Sequence, residues 1–252
     1  MSGHSKWATI KHKKEQTDHK RGQVFTKLTR EIMVAARETG GDAETNFRLR
    51  IAVQRARSES MPAENIKRAI ERGAGGAGGG PAWEEVTYEG YGAGGTALIV
   101  SALTDNRNRT VAEVRAAFQR GGGNMGESGS VAWMFDTMGL ITVQLNPQGD
   151  MDEAEMTAID AGAQDVERDD EERTLDVYSD FTDLKAVTDA LNAAGLNVTG
   201  SEKVMVPKTT VQLDEDKAQQ NLKLVDRLED LDDVQQVYSN LELNDAQMAT
   251  LG

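Results

Sequence analysis

From Thr17 to Thr39 apolar residues return at steps of three and four, at Phe25, Leu28, Ile32 and Ala35/Ala36, which is the stripe of an amphipathic helix. Thr17 or Asp18 can cap its start, and Gly40-Gly41 can stop it. A second helix is expected from about Thr45 to Ser58, burying Leu49, Ala52, Val53 and Ala56 and leaving Arg48, Arg55 and Arg57 mostly off that stripe. A third begins at Pro62, suited to a first helical turn, buries Ile66, Ala69 and Ile70, and ends at Gly73. Between Gly73 and Pro81 six of nine residues are glycine, which reads as a linker. No Gly-Lys-Ser/Thr follows it, so it lacks what a phosphate loop needs.

Beyond the linker the period changes. Trp83–Tyr88 and Thr96–Leu103 read as strands about a glycine-rich turn, Arg109–Arg120 as a helix burying Val111, Val114 and Phe118, and Ser130–Phe135 as a strand. Next come Leu140–Leu145 (strand), Asp152–Ala161 (helix), Asp165–Arg168 and Leu175–Tyr178 (strands), Thr182–Ala194 (helix) and Asn197–Met205 (strand). That stretch is a complete βαββαβ series, the order of a ferredoxin-like split unit. The tail, Thr210–Leu213, Asp216–Leu231 and Val234–Tyr238, is a βαβ half with no partner nearby, and Thr96–Phe135 is another half. Joining the halves gives an α+β multidomain fold. A three-helix domain at 1–75 is followed by two ferredoxin-like α+β domains, one built from 82–136 plus 207–252 and the other, 137–206, inserted into it. Three consecutive domains in chain order are the alternative.

Charge sharpens this division. The 252 residues carry a net −14, which alone argues against a polyanionic partner. Yet residues 1–72 hold 16 Lys and Arg against 9 Asp and Glu, and residues 73–252 hold 12 against 33. In the first 30 residues eight basic side chains face only Glu15 and Asp18. A nucleic acid would meet an attractive end and a repulsive one, and the field would orient the encounter. There is no cysteine, no apolar run of the roughly 18 residues a span needs and no secretory signal, so the expected compartment is the cytoplasm.

No catalytic constellation emerges. His4, His12 and His19 lie in the basic arm with no nucleophile beside them, and the acidic run Asp165–Glu172 brackets a turn without the spacing of a divalent-ion loop. No enzyme activity, metal, cofactor or small-molecule substrate is expected. The binding candidates are Lys6, Trp7, Lys11, Lys13, Lys14, Lys20, Arg21, Lys27 and Arg30, a cation every few residues with one aromatic interleaved. Their amines and guanidinia suit phosphates, and Trp7 suits either a base or the helical bundle. Arg107 and Arg109, in the turn Thr104–Thr110 that opens a helix, form a second candidate where free N–H groups already favour an anion. An ordinary capped loop with Asn106 or Asn108 as the cap fits equally well. The turn Gly121–Gly126 reads as a helix stop.

Gly3–Trp7 with Ile10–Lys14, Met61-Pro62 through Asn65–Gly73, Tyr88–Gly92, Thr104–Thr110 and Gly122–Gly126 resemble the motifs of the YebC/PmpR family, which includes the mitochondrial translational activator of cytochrome oxidase. Ala93 stands where that pattern usually has proline. The resemblance implies a helical domain, two α+β domains and no catalysis. Its members are described as DNA-binding transcriptional regulators, and some as ribosome-bound factors that support translation. The expected function is a nucleic-acid-binding regulator of gene expression, with DNA leading and ribosomal RNA the alternative. A scaffold whose basic arm docks an acidic protein is a third class.

Overall fold

The structure, a computed structural model, describes residues 18–75, 83–244 and 247. Three helices come first: α1 (Asp18–Thr39), α2 (Phe47–Ser58) and α3 (Ala63–Ala74). Buried Asn46 links the first two. Its Nδ2 donates to the carbonyls of Ala35 and Gly40, each at 2.8 Å, and its Oδ1 accepts the Leu49 N–H at 3.0 Å. One side chain thus closes one helix and caps the next. The apolar stripes fall as expected, with Leu28, Ile32, Leu49, Ala52, Ile66 and Ala69 all buried. Helix α3 runs through Gly73 to a cap at Gly75, because Gly73 is where α3 meets α1. A Cβ there would lie 2.4 Å from the Met33 carbonyl oxygen and 2.8 Å from the Ala36 Cβ. Gly73→Ala is expected to lower stability by about 1–3 kcal/mol; a thermal melt followed by circular dichroism that matches the parent would refute that close approach.

The strands and remaining helices are β1 (Glu84–Tyr91), β2 (Ala97–Thr104), α4 (Arg107–Arg120), β3 (Asn124–Met125), β4 (Phe135–Gln144), α5 (Met151–Asp160), β5 (Asp165–Asp169), β6 (Thr174–Asp180), α6 (Leu184–Ala193), β7 (Val198–Pro207), β8 (Val211–Gln212), α7 (Glu215–Glu229), β9 (Val234–Ser239) and β10 (Leu241–Glu242). The fold is α+β and multidomain. Its described residues fall into two compact units, one of 18–30, 83–136 and those from 205 on, the other of 31–75 and 137–204.

In the first unit an antiparallel sheet has the order β3-β1-β2-β9. Strand β2 is central and buried on both faces, hence its unbroken apolar run Ala97–Val100. Leu98 and Val100 pack with Val114 and Phe118 of α4 and Leu224 and Leu228 of α7. Ala97 and Ile99 face Val131 and Phe135 on the other side. Short β8 and β10 pair in parallel beside this sheet.

In the second unit the sheet order is β5-β6-β4-β7, the arrangement of a split βαββαβ unit. Helices α5 and α6 cover it through Ala154, Ala158, Leu184, Val187 and Leu191, packed on Ile141, Val143, Leu175 and Val177. Phe47 and Ile51 of α2 pack against the same cluster. Asp150 caps α5 by accepting the N–H groups of Asp152 and Glu153.

One strand is misplaced by the sequence. Residues 130–134 do not form one; between α4 and Phe135 it is Asn124-Met125 that pairs with β1, Ala132–Met134 make a 3-10 turn, and the next strand starts at Phe135. The reason is a side chain. The buried Glu89 carboxylate accepts the N–H groups of Gly129 (2.7 Å), Val131 (2.7 Å) and Ala132 (2.8 Å), which a ladder would have needed.

Candidate nucleic-acid interface

Of the expected contact residues, Lys6, Trp7, Lys11, Lys13 and Lys14 lie outside the described residues, and for Lys20 and Arg21 only their place near the start of α1 is described. The other four are all in the first unit, and three of them converge on one place.

Gln23, Lys27 and Arg30 follow one another along a single face of α1 at helical spacing. Gln23 Nε2 donates to the Asp230 carbonyl at 3.3 Å, Lys27 Nζ to that of Glu229 at 2.5 Å, and Arg30 Nη1 to that of Asp232 at 2.6 Å. These carbonyls belong to the C-terminal end of α7 and the residues just after it, where unpaired oxygens and the helix dipole attract cations. Burial pushes the Lys27 amine down to about 8, against the upward pull of Glu229, Asp230 and Asp232. The Arg30 guanidinium also stacks on Trp83, 4.9 Å from its ring centre.

Asp233 completes the cluster. Its side chain is almost wholly buried, yet Oδ1 pairs with Arg30 at 3.1 Å and Oδ2 with Arg109 at 2.6 Å. The hydroxyls of Thr104 (3.1 Å) and Thr110 (2.8 Å) donate to the same Oδ2. Burial alone would raise the Asp233 carboxyl; the bonds from Arg109, Thr110 and Thr104 outweigh it and hold the group below the usual carboxylate range. Arg109 also pairs with Asp105 at 2.9 Å, and its own N–H is capped by Asn106. The helix start therefore has the Asn106 cap, with Arg109 turned onto carboxylates. Arg107 is exposed and stands 3.8 Å from Glu84. Around Arg30, Arg109 and Asp233 an open cleft of about 440 Å³ is lined by Asp105, Glu113, Asp230 and Asp232 as well.

In the second unit three of the four α2 arginines are likewise matched, Arg48 with Glu38, Arg50 with Asp189, and Arg55 with Glu31 and Glu202, while Arg57 is exposed. Lys67 and Arg68 of α3 pair only with exposed Glu71 and Glu64 one turn away, contacts that are weak in water.

Sequence reasoning missed Asp233 and Glu89. Asp233 looked like one more acid in a run, and nothing local marks it. Glu89 carried a faint signal, since its Cα partner in the adjacent strand is apolar Ile99 and both side chains belong to one face. Among the described residues no His, Cys, Asp and Glu side chains gather to hold a metal, and no helix is long and apolar enough to cross a membrane.

This is a multidomain α+β protein whose best-built polar cluster joins a basic helix to an acidic helix end. The chain belongs to the TACO1/YebC family: residues 5–76 match the TACO1/YebC protein N-terminal domain, and residues 83–241 the TACO1/YebC second and third domain. Relatives named "Probable transcriptional regulatory protein" include one from Herpetosiphon aurantiacus, 54% identical with 97% of this chain and 96% of that one covered. Another, from Moorella thermoacetica, is 52% identical with 100% and 99% covered. A crystal structure of a conserved hypothetical protein from Aquifex aeolicus superposes with a TM-score of 0.85 at 44% identity, covering 96% of this chain and 98% of that one. These relatives are named as regulators and not as enzymes.

Proposed function

We propose that the protein is a cytoplasmic, DNA-binding transcriptional regulator that engages nucleic acid through its basic N-terminal segment. The observation that carries this reading is the segregation of charge, an excess of seven positive charges over residues 1–72 against 21 negative ones over the remainder. A polyanion is drawn to one end and held off the other. The relatives' name supports the transcriptional form of it. The domain division that goes with the proposal is 1–75, 82–136 plus 207–252, and an inserted 137–206; the pairing of β9 with β2 across the intervening chain supports it.

A second reading, contact with ribosomal RNA, is favoured by one feature. Three of the four α2 arginines, Arg48, Arg50 and Arg55, are paired with acids, so α2 offers exposed Arg57 but no row of free side chains to read base edges in a groove. Crosslinking in cells followed by sequencing of the attached nucleic acid tests both. Enrichment of promoter DNA is the expected result. Enrichment of ribosomal RNA would replace the DNA reading, and recovery of neither would end the nucleic-acid reading altogether.

A further inference from the structure

Within the first unit, the start of α1 is held to the end of α7 by three side chains that are not alike in charge balance. Gln23 and Lys27 each donate to one backbone carbonyl, of Asp230 and Glu229. Arg30, a turn further on, has a carbonyl and the Asp233 carboxylate as well. Lys27 is half-buried, and its bonded partner is a neutral oxygen. The acids of α7 and of the residues after it, Glu229, Asp230 and Asp232, act on the amine through space, and Arg30 of its own helix opposes them. An ammonium so placed loses water without gaining a bonded counter-ion, whereas a neutral amine still donates to the carbonyl and gives up much less hydration.

The docked helix therefore fits the neutral amine better than the charged one. Held against α7, Lys27 gives up its proton at about 8 in place of the ordinary 10.5. When α1 lifts off α7 the amine returns to water and to that ordinary value. Between those two values docking releases a proton, and a step that releases a proton is favoured as pH rises.

We propose that the seat of α1 on the end of α7 is a pH-sensitive latch, with Lys27 as its titrating group. Well below pH 8 the amine is charged whether α1 is docked or free, and the latch is insensitive to pH. Above that it is neutral when docked and charged when free, so each further unit closes the latch by up to about tenfold until the free amine titrates too. Between pH 7 and 9 the closed state gains about tenfold in all. Lys20 and Arg21 lie near the start of the same helix, with the arm before them. The latch thus fixes the base from which the arm extends, whatever the arm binds.

The test uses the full chain with isotopically labelled lysine side chains, followed by NMR as pH is raised. The Lys27 resonance, assigned by its loss in Lys27→Arg, is expected to titrate at about 8. Asp230→Asn removes one of the charges that favour the ammonium and should move that midpoint lower. A second measurement reads the latch through stability, by denaturant unfolding followed by the fluorescence of Trp83, which lies under Arg30, and Trp133. Lys27→Met keeps the length of the side chain and has no proton to lose. Relative to it, the parent's folding equilibrium should rise about tenfold from pH 7 to 9. Identical pH profiles for the two proteins, or a Lys27 resonance that titrates at its ordinary value, would overturn the latch. Should Lys27→Met fail to fold, the titration of the parent decides alone.

Discussion

Replacing Asp233 with alanine is expected to destabilise the unit that contains it by about 1–3 kcal/mol, the cost of removing the acceptor that buried and half-buried donors share. Three consequences add up there. Arg30 and Arg109 lose a shared counter-ion, the Thr104 hydroxyl loses its carboxylate acceptor, and Thr110 is left with the Asn106 carbonyl and the Thr104 oxygen. Buried donors left without acceptors are costly in themselves. Trp83 and Trp133 both lie in this unit, so thermal unfolding followed by tryptophan fluorescence reports on it directly. A shift within about 1 kcal/mol of the parent would show that the cluster is incidental. The pH dependence has a definite sign. Because the folded Asp233 carboxyl sits below its ordinary value of about 3.9, the unfolded chain takes up the proton first. The stability it contributes is complete above that value and disappears as pH falls through the lower, folded one. Glu89 behaves the same way, its burial outweighed by the backbone N–H bonds of Gly129, Val131 and Ala132. Asp233→Asn should therefore remove part of the acid limb of the stability curve while leaving the Glu89 part.

The sequence carried the periodic part of this fold and little of its long-range part. Every helix was legible, because each has an apolar stripe at steps of three and four; side-chain caps help at some, such as Asn106 for α4, and are missing at α3 and α6. The βαββαβ order was legible for the same reason. The strand at 130–135 was not, since its apolar residues Val131 and Phe135 are buried as a strand's would be and only the remote Glu89 carboxylate diverts the backbone. The fate of individual cations was hidden likewise. Lys27 and Arg30 look identical in sequence to the lysines before them, yet they are held by carbonyls about 200 residues away in the chain. Composition gives the density of charge. Which charges are already answered depends on tertiary contacts with no local signature.

That distinction makes the salt dependence of binding quantitative. Of the eight basic side chains in the first 30 residues, Lys27 and Arg30 are engaged within the protein, which leaves Lys6, Lys11, Lys13, Lys14, Lys20 and Arg21 as candidates for phosphate contact. If these six each neutralise a phosphate, duplex affinity is expected to fall roughly a thousandfold between about 50 and 200 mM salt. Changing Lys11, Lys13 and Lys14 together to alanine halves the number of contacts, so the same salt interval should then cost only about fortyfold. Lys27→Ala provides the contrast. Its amine serves the end of α7, so it should lower the melting temperature and leave the salt slope alone. Measuring the slope, and not a single affinity, separates loss of phosphate contacts from a general loss of folded protein, because unfolding lowers apparent affinity at every salt concentration alike. A triple variant with the parent's slope would move the contact surface off the arm and onto exposed Arg107 and its neighbours on α4. A Lys27→Ala protein with a flattened slope would mean that its bond to the Glu229 carbonyl opens when nucleic acid binds.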